Sequence, residues 1–180
     1  MLEESNMTTR RIVTALDQNG KSYIKHDGET PGYLDLGRAI NEEIWIDDPN
    51  QSEPFDQHDP AAATQFNLSP PLGGSCGRVF TFIPNALQTH DPAVIASAAS
   101  KFNTGDSMDP DNPGMHTTAT LDYGIVLSGQ ITLELDQGSI DLNVGDIVVQ
   151  RATPHAWRNL SDEPCTMLFV LISSPNYSGI

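Results

Sequence analysis

In the stretch His116 to Asp122 (HTTATLD), His116, Thr118, Thr120 and Asp122 recur at every second position. In an extended strand, side chains two apart share a face, so these four polar groups stand in one row. A second imidazole, His155, follows in the segment GDIVVQRATPHAWRN. Histidine titrates near neutrality, with an unperturbed pKa of about 6.5, and burial raises the pKa of a carboxylate. Brought together, His116, His155 and Asp122 would form an acid/base set. Such a set takes a proton from beside a carbonyl and returns one to a leaving hydroxyl, the chemistry of dehydration, isomerisation, decarboxylation or cyclisation. In this reading His116 and His155 carry protons, Asp122 orients one of them, and Thr118 and Thr120 hold a substrate oxygen. Arg151 reads equally as a bidentate partner for a substrate carboxylate or as a solvent-exposed residue, and Trp157, in phase with His155, as a wall of the pocket or a packing residue. His116, Asp122 and His155 also make a two-His, one-carboxylate set of the kind that takes one divalent ion (Fe, Mn, Ni or Zn) and leaves open positions. A third reading makes the row a hydrogen-bonded lining that binds a small molecule without changing it.

The elements that must position these residues are strands. From Met115 onward, strand-sized segments follow at short intervals: 116–127, 130–135, 139–142, 147–150, 155–159 and 166–173. Turn residues separate them, at Ser128-Gly129, Asp136 to Gly138, Asn143 to Asp146 and Ser161 to Pro164. Evenly spaced strands with tight turns predict an antiparallel sandwich or barrel, because a parallel sheet needs helices between its strands. Upstream, RVFTFI (78–83) reads as a strand opening the barrel, and Asp91 followed by Pro92 caps one short helix. Earlier still, RIVTA (11–15) and SYIK (22–25) flank Asn19-Gly20, a hairpin signal, and EIWI (43–46) reads as one more strand. The Pro- and Asp-rich stretch 47–71 reads as loop. His26, His58 and His90 fall in turn-like or loop contexts and are expected in solvent; His58, between Asp56 and Asp59, has the neighbours of a surface metal site.

The polar row and the later segment together resemble the cupin superfamily. Its first motif runs His-x-His, three or four residues, Glu, six residues, Gly; here His116 and Gly129 match it, while Thr118 stands in place of the second His and Asp122 in place of Glu. Its second motif opens on Gly and closes on His-x-x-x-Asn, matched by Gly145, His155 and Asn159. The chain departs from the pattern at Gln150, where the motif has Pro, at Ala152, where it has Gly, and at Pro110, ahead of His116. The resemblance implies an all-β, cupin-type jelly-roll barrel over 76–180 and an N-terminal extension of short strands and loops over 1–75 that packs on the barrel or on a partner subunit. It also implies a pocket inside the barrel, a metal held in fully equipped members by three His and one Glu, and homodimers. A homodimer is expected on physical grounds too, because Leu121, Tyr123, Ile125 and Leu127 form an apolar row on the face opposite His116 and need a cover.

Composition bounds these readings. The 180 residues suffice for one domain with its own core. A formal net charge of -15, from 24 acidic and 9 basic side chains, argues against nucleic acid and anionic membrane surfaces as partners. The N-terminus, MLEESNMTTRR, has no basic start followed by an apolar run, which predicts a cytoplasmic protein. Cys76 and Cys165 lack any CxxC neighbour and read as structural thiols. The expectation is a small-molecule enzyme.

Overall fold

A computed structural model describes residues 8–51, 58–63, 65–105 and 107–173. Strands β1 (Arg10–Leu16) and β2 (Ser22–Glu29) form a hairpin whose turn places Gly20 at φ 73. Then come β3 (Gly32–Asp35), β4 (Ala39–Asp47), β5 (Phe66–Asn67) and β6 (Ser75–Phe82). The one α-helix among the described residues, α1 (Pro92–Lys101), starts where Asp91 accepts the Ala93 amide at 2.8 Å. After it run β7 (Phe102–Asn103), β8 (Thr120–Ser128), β9 (Gln130–Leu135), β10 (Gly138–Asn143), β11 (Ile147–Arg151), β12 (Ala156–Arg158) and β13 (Cys165–Ser173).

Two antiparallel sheets face each other as an all-β jelly-roll barrel. The larger has the order β11-β8-β13-β6-β4-β3, the smaller β10-β9-β12. Alternation explains the core: Cys165, Met167, Phe169 and Leu171 of β13 are buried in turn, and they meet Ile131, Leu133 and Leu142 of the opposite sheet. Phe80, Phe82, Trp157 and Phe169 complete this interior through ring contacts of 5.3 to 6.3 Å between centroids.

The large sheet crosses position 75, where the sequence suggested the extension ends, since β3 and β4 extend it beyond β6. Residues 47–71, expected as loop, contain a 3-10 turn at Pro60–Ala62 and the β5 segment, which pairs in parallel with β7. His26 lies within β2 rather than in a turn, whereas His58 and His90 are exposed; Asp56, its expected neighbour, lies outside the described residues. Cys76 and Cys165 are free and buried, and burial pushes both thiols up to about 11. No helix among the described residues is long and apolar enough to cross a membrane.

Candidate active site

The site is built on a backbone pairing that the expected strand 116–127 only partly anticipates. Regular pairing of β8 begins at Thr120, while His116 stands alone opposite His155: each amide donates to the other's carbonyl, at 2.9 and 3.0 Å. Directly opposed residues of an antiparallel pair point to the same side. The two imidazoles therefore meet, with ring centroids 4.2 Å apart.

Both rings are oriented by main chain. The Nδ1 of His116 lies 3.0 Å from the Gly114 carbonyl and that of His155 2.8 Å from the Thr153 carbonyl. A carbonyl only accepts, so each Nδ1 carries the proton and each Nε2 keeps a lone pair. Burial lowers the pKa of His116, and the Gly114 carbonyl opposes the shift. Burial, then the neighbouring His116, lowers His155 to about 4, against the pull of the Thr153 carbonyl. At neutral pH the pair is two uncharged bases.

Asp122 is 5% exposed, and burial raises its carboxyl to about 6, opposed by the Thr120 and Thr118 hydroxyls and the Arg78 charge. Its hydrogen bond comes from Thr118, at 3.4 Å, which in turn accepts from Thr120 at 2.8 Å. This corrects the expected role of Asp122 as the orienter of a histidine; the Gly114 and Thr153 carbonyls do that work.

A cavity of about 310 Å³ lies between the sheets, bordered by His116, Thr118, Asp122, His155 and Trp157. Thr120 is buried but does not border it, its hydroxyl being spent on Thr118. Arg151 is exposed: it pairs with Leu121 in the register that sends Gln150 and Asp122 inward, so its own side chain faces away from the cavity.

Two lining residues escaped the sequence reading as site residues. Gln150, where the motif has Pro, is 5% exposed and borders the cavity. Arg78, 2% exposed, faces Glu43, 0% exposed, across β6 and β4 with Nη2 to Oε1 at 3.3 Å. Its guanidinium also donates to the Asn67 and Leu68 carbonyls at 3.0 and 3.2 Å, pinning that connector over the barrel mouth. The available signal was phase: Arg78 alternates with Phe80 and Phe82, which point inward.

The donor types suit a divalent cation, with two imidazole lone pairs and an unpartnered Asp122 Oδ1. The geometry does not, because no three His, Cys, Asp or Glu among the described residues stand close enough together to hold one ion. The expected set of His116, Asp122 and His155 is thus assembled only as a histidine pair.

Residues 102–171 match the Cupin_2 family, described as a cupin domain. Over that segment the chain is similar to the cupin superfamily. It is 56% identical over 71 residues to phomopsin biosynthesis cluster protein D of Diaporthe leptostromiformis, a stretch covering 39% of this chain and 38% of that protein. It is 44% identical over 62 residues to the cupin-domain-containing oxidoreductase virC of Hypocrea virens, covering 32% of each. Among solved structures, a Cupin 2 conserved barrel domain protein from Salinispora arenicola is similar at 14% identity and a TM-score of 0.42, over 80% of this chain and 83% of that one. The chain thus matches only about a third of the length of these curated relatives, at 38% and 32%.

Proposed function

We propose that this protein is a small-molecule enzyme that moves protons inside the barrel cavity, with His116 and His155 as neutral bases. The observation that carries the reading is the pair of carbonyl-locked imidazoles, each with its Nε2 lone pair left available. The base takes a proton from a carbon or hydroxyl of the bound metabolite and becomes an imidazolium. Asp122, ionised above about 6, supplies the balancing negative charge in the same cavity. Turnover should therefore rise with pH towards a plateau above 6. The likeness to proteins named for biosynthesis clusters and as oxidoreductases supports a metabolite as substrate.

The test is incubation of the protein with a metabolite extract in deuterated water, followed by mass spectrometry. Features that gain deuterium or lose water with wild type, but not with the His116→Ala/His155→Ala variant, support proton-transfer catalysis. Features that are only enriched on the protein, unchanged in mass, overturn it in favour of a binding module.

A second reading, metal-assisted chemistry, rests on the donor types of His116, His155 and Asp122 alone, since these residues are not gathered around one point. Elemental analysis after loading decides it: about one equivalent of Fe, Mn, Ni or Zn lost in His155→Ala supports a metal enzyme, and sub-stoichiometric metal removes it.

We also propose a homodimer through the outer face of the large sheet, where Tyr123, Ile147, Val149 and Ile172 are 39, 65, 53 and 38% exposed. Sedimentation should show a dimer that Ile147→Lys/Val149→Lys converts to monomer; a monomeric wild type contradicts it.

A further inference from the structure

One end of the cavity has incomplete hydrogen bonding. Gln150 and Asp122 are direct cross-strand partners on β11 and β8, and both border the cavity. The Gln150 amide nitrogen donates to Thr153 Oγ1 at 2.9 Å and, more weakly, to the Thr153 carbonyl at 3.5 Å. A carbonyl cannot donate, so the amide holds its nitrogen on Thr153 and turns its oxygen away. Asp122 is committed on one side as well, through the Thr118 bond to Oδ2. Left over are Gln150 Oε1 and Asp122 Oδ1, both buried and both without a protein donor. Buried acceptors left unpaired are costly, so the pair calls for donors from a molecule that enters the cavity.

The chemistry of that molecule follows from what else is unpaired. Arg78 Nε, a donor, is buried without an acceptor, and its charge acts on Asp122. An ammonium could satisfy the two oxygens but has no lone pair for Arg78. Hydroxyls donate and accept at once. Among the other lining residues, Phe80, Phe82, Trp157 and Phe169 offer aromatic faces that suit a flat apolar body.

Building on the reading of this cavity as a metabolite site, we infer that Asp122 and Gln150 form a subsite for two neighbouring hydroxyls on a flat apolar molecule, with Gln150 the specificity-determining residue. Gln150 supplies a side-chain oxygen at a position where the cupin motif carries a proline, which has none. The selection comes from this chain's own departure from the motif.

The probes are naphthalene-2,3-diol, its dimethyl ether and 2-(aminomethyl)naphthalene, with affinity read by quenching of tryptophan fluorescence and by calorimetry. Wild type is expected to bind the diol roughly tenfold or more tighter than the ether, the scale of an unpaired buried polar group. Gln150→Met should bring the diol to within about threefold of the ether while ether binding is held, which also shows that the variant is folded. Equal affinity for diol and ether in wild type, a preference that survives Gln150→Met, a preference for the amine, or no saturable binding of any probe overturns the inference. His155→Ala separates it from the catalytic reading. A diol preference retained in that variant stands whether or not proton transfer is ever found, and turnover without a diol preference sinks the subsite alone.

Discussion

Replacing Asp122 by Asn probes the electrostatics of the cavity without any knowledge of the substrate. The Asp122 carboxyl is raised by burial from 3.8 to about 6, above its value in the unfolded chain. Its contribution to stability is therefore fully present below 3.8 and lost as pH rises through about 6, because the folded state then holds an ionised, desolvated carboxylate. That rise in pKa corresponds to about 3 kcal/mol in all, and roughly half of it, about 1.4 kcal/mol, falls between pH 5 and 7.5. Work below pH 5 is best avoided, since the sequence pI is ≈ 4.3. His155 acts oppositely: its pKa is lowered from 6.5 to about 4, so its contribution is present above 6.5 and lost as pH falls through about 4. The two oppose one another in wild type, and the difference between wild type and Asp122→Asn isolates the carboxylate. Urea unfolding at a series of pH values gives that difference. Wild type should lose about 1.4 kcal/mol relative to the variant between pH 5 and 7.5. A difference that stays constant across this range refutes the reasoning.

Three further outcomes test the scaffold by the same unfolding assay. Gly129→Ala should cost about 2 kcal/mol or more, since φ is 74 and a Cβ would stand 2.4 Å from the Pro164 carbonyl oxygen; a change within about 0.5 kcal/mol would contradict that. Arg78→Met strands Glu43 as a buried charge and should cost about 3–5 kcal/mol, with part recovered in Arg78→Met/Glu43→Gln; a double variant no more stable than the single one would count against the ion pair. Ala152, at φ 50 where the motif has Gly, should tolerate Gly within about 1 kcal/mol, while Val should cost more than about 2 kcal/mol.

Much of the site was legible because its signals are local. The period-2 row placed Thr118 and Asp122 inward, and the spacing of the two motifs brought His155 to His116. Asp91 and Asn19-Gly20 announced their helix and hairpin in the same way. What escaped depends on pairing between distant segments. A charged residue such as Glu43 in EIWI looks like a solvated strand position until β4 meets β6 and sets it against Arg78. β3 is four residues long and acquires its place only as an edge on β4. Without a register the sequence leaves Arg151 open between cavity and solvent, and one position decides between inward Gln150 and outward Arg151. Asp122 takes its hydrogen bond from Thr118 on its own segment, a pairing the sequence reading gave to a histidine.

His116 and His155 are adjacent, uncharged and protonated on Nδ1, which leaves each Nε2 a base. Nitrogen NMR of histidine-labelled protein reads the tautomer and the titration of each ring together. The expected spectrum has a pyridine-type Nε2 and a pyrrole-type Nδ1 for both residues at neutral pH, with His155 taking up its proton only near pH 4. Protonated Nε2 atoms, or a His155 that titrates at the ordinary 6.5, would contradict it.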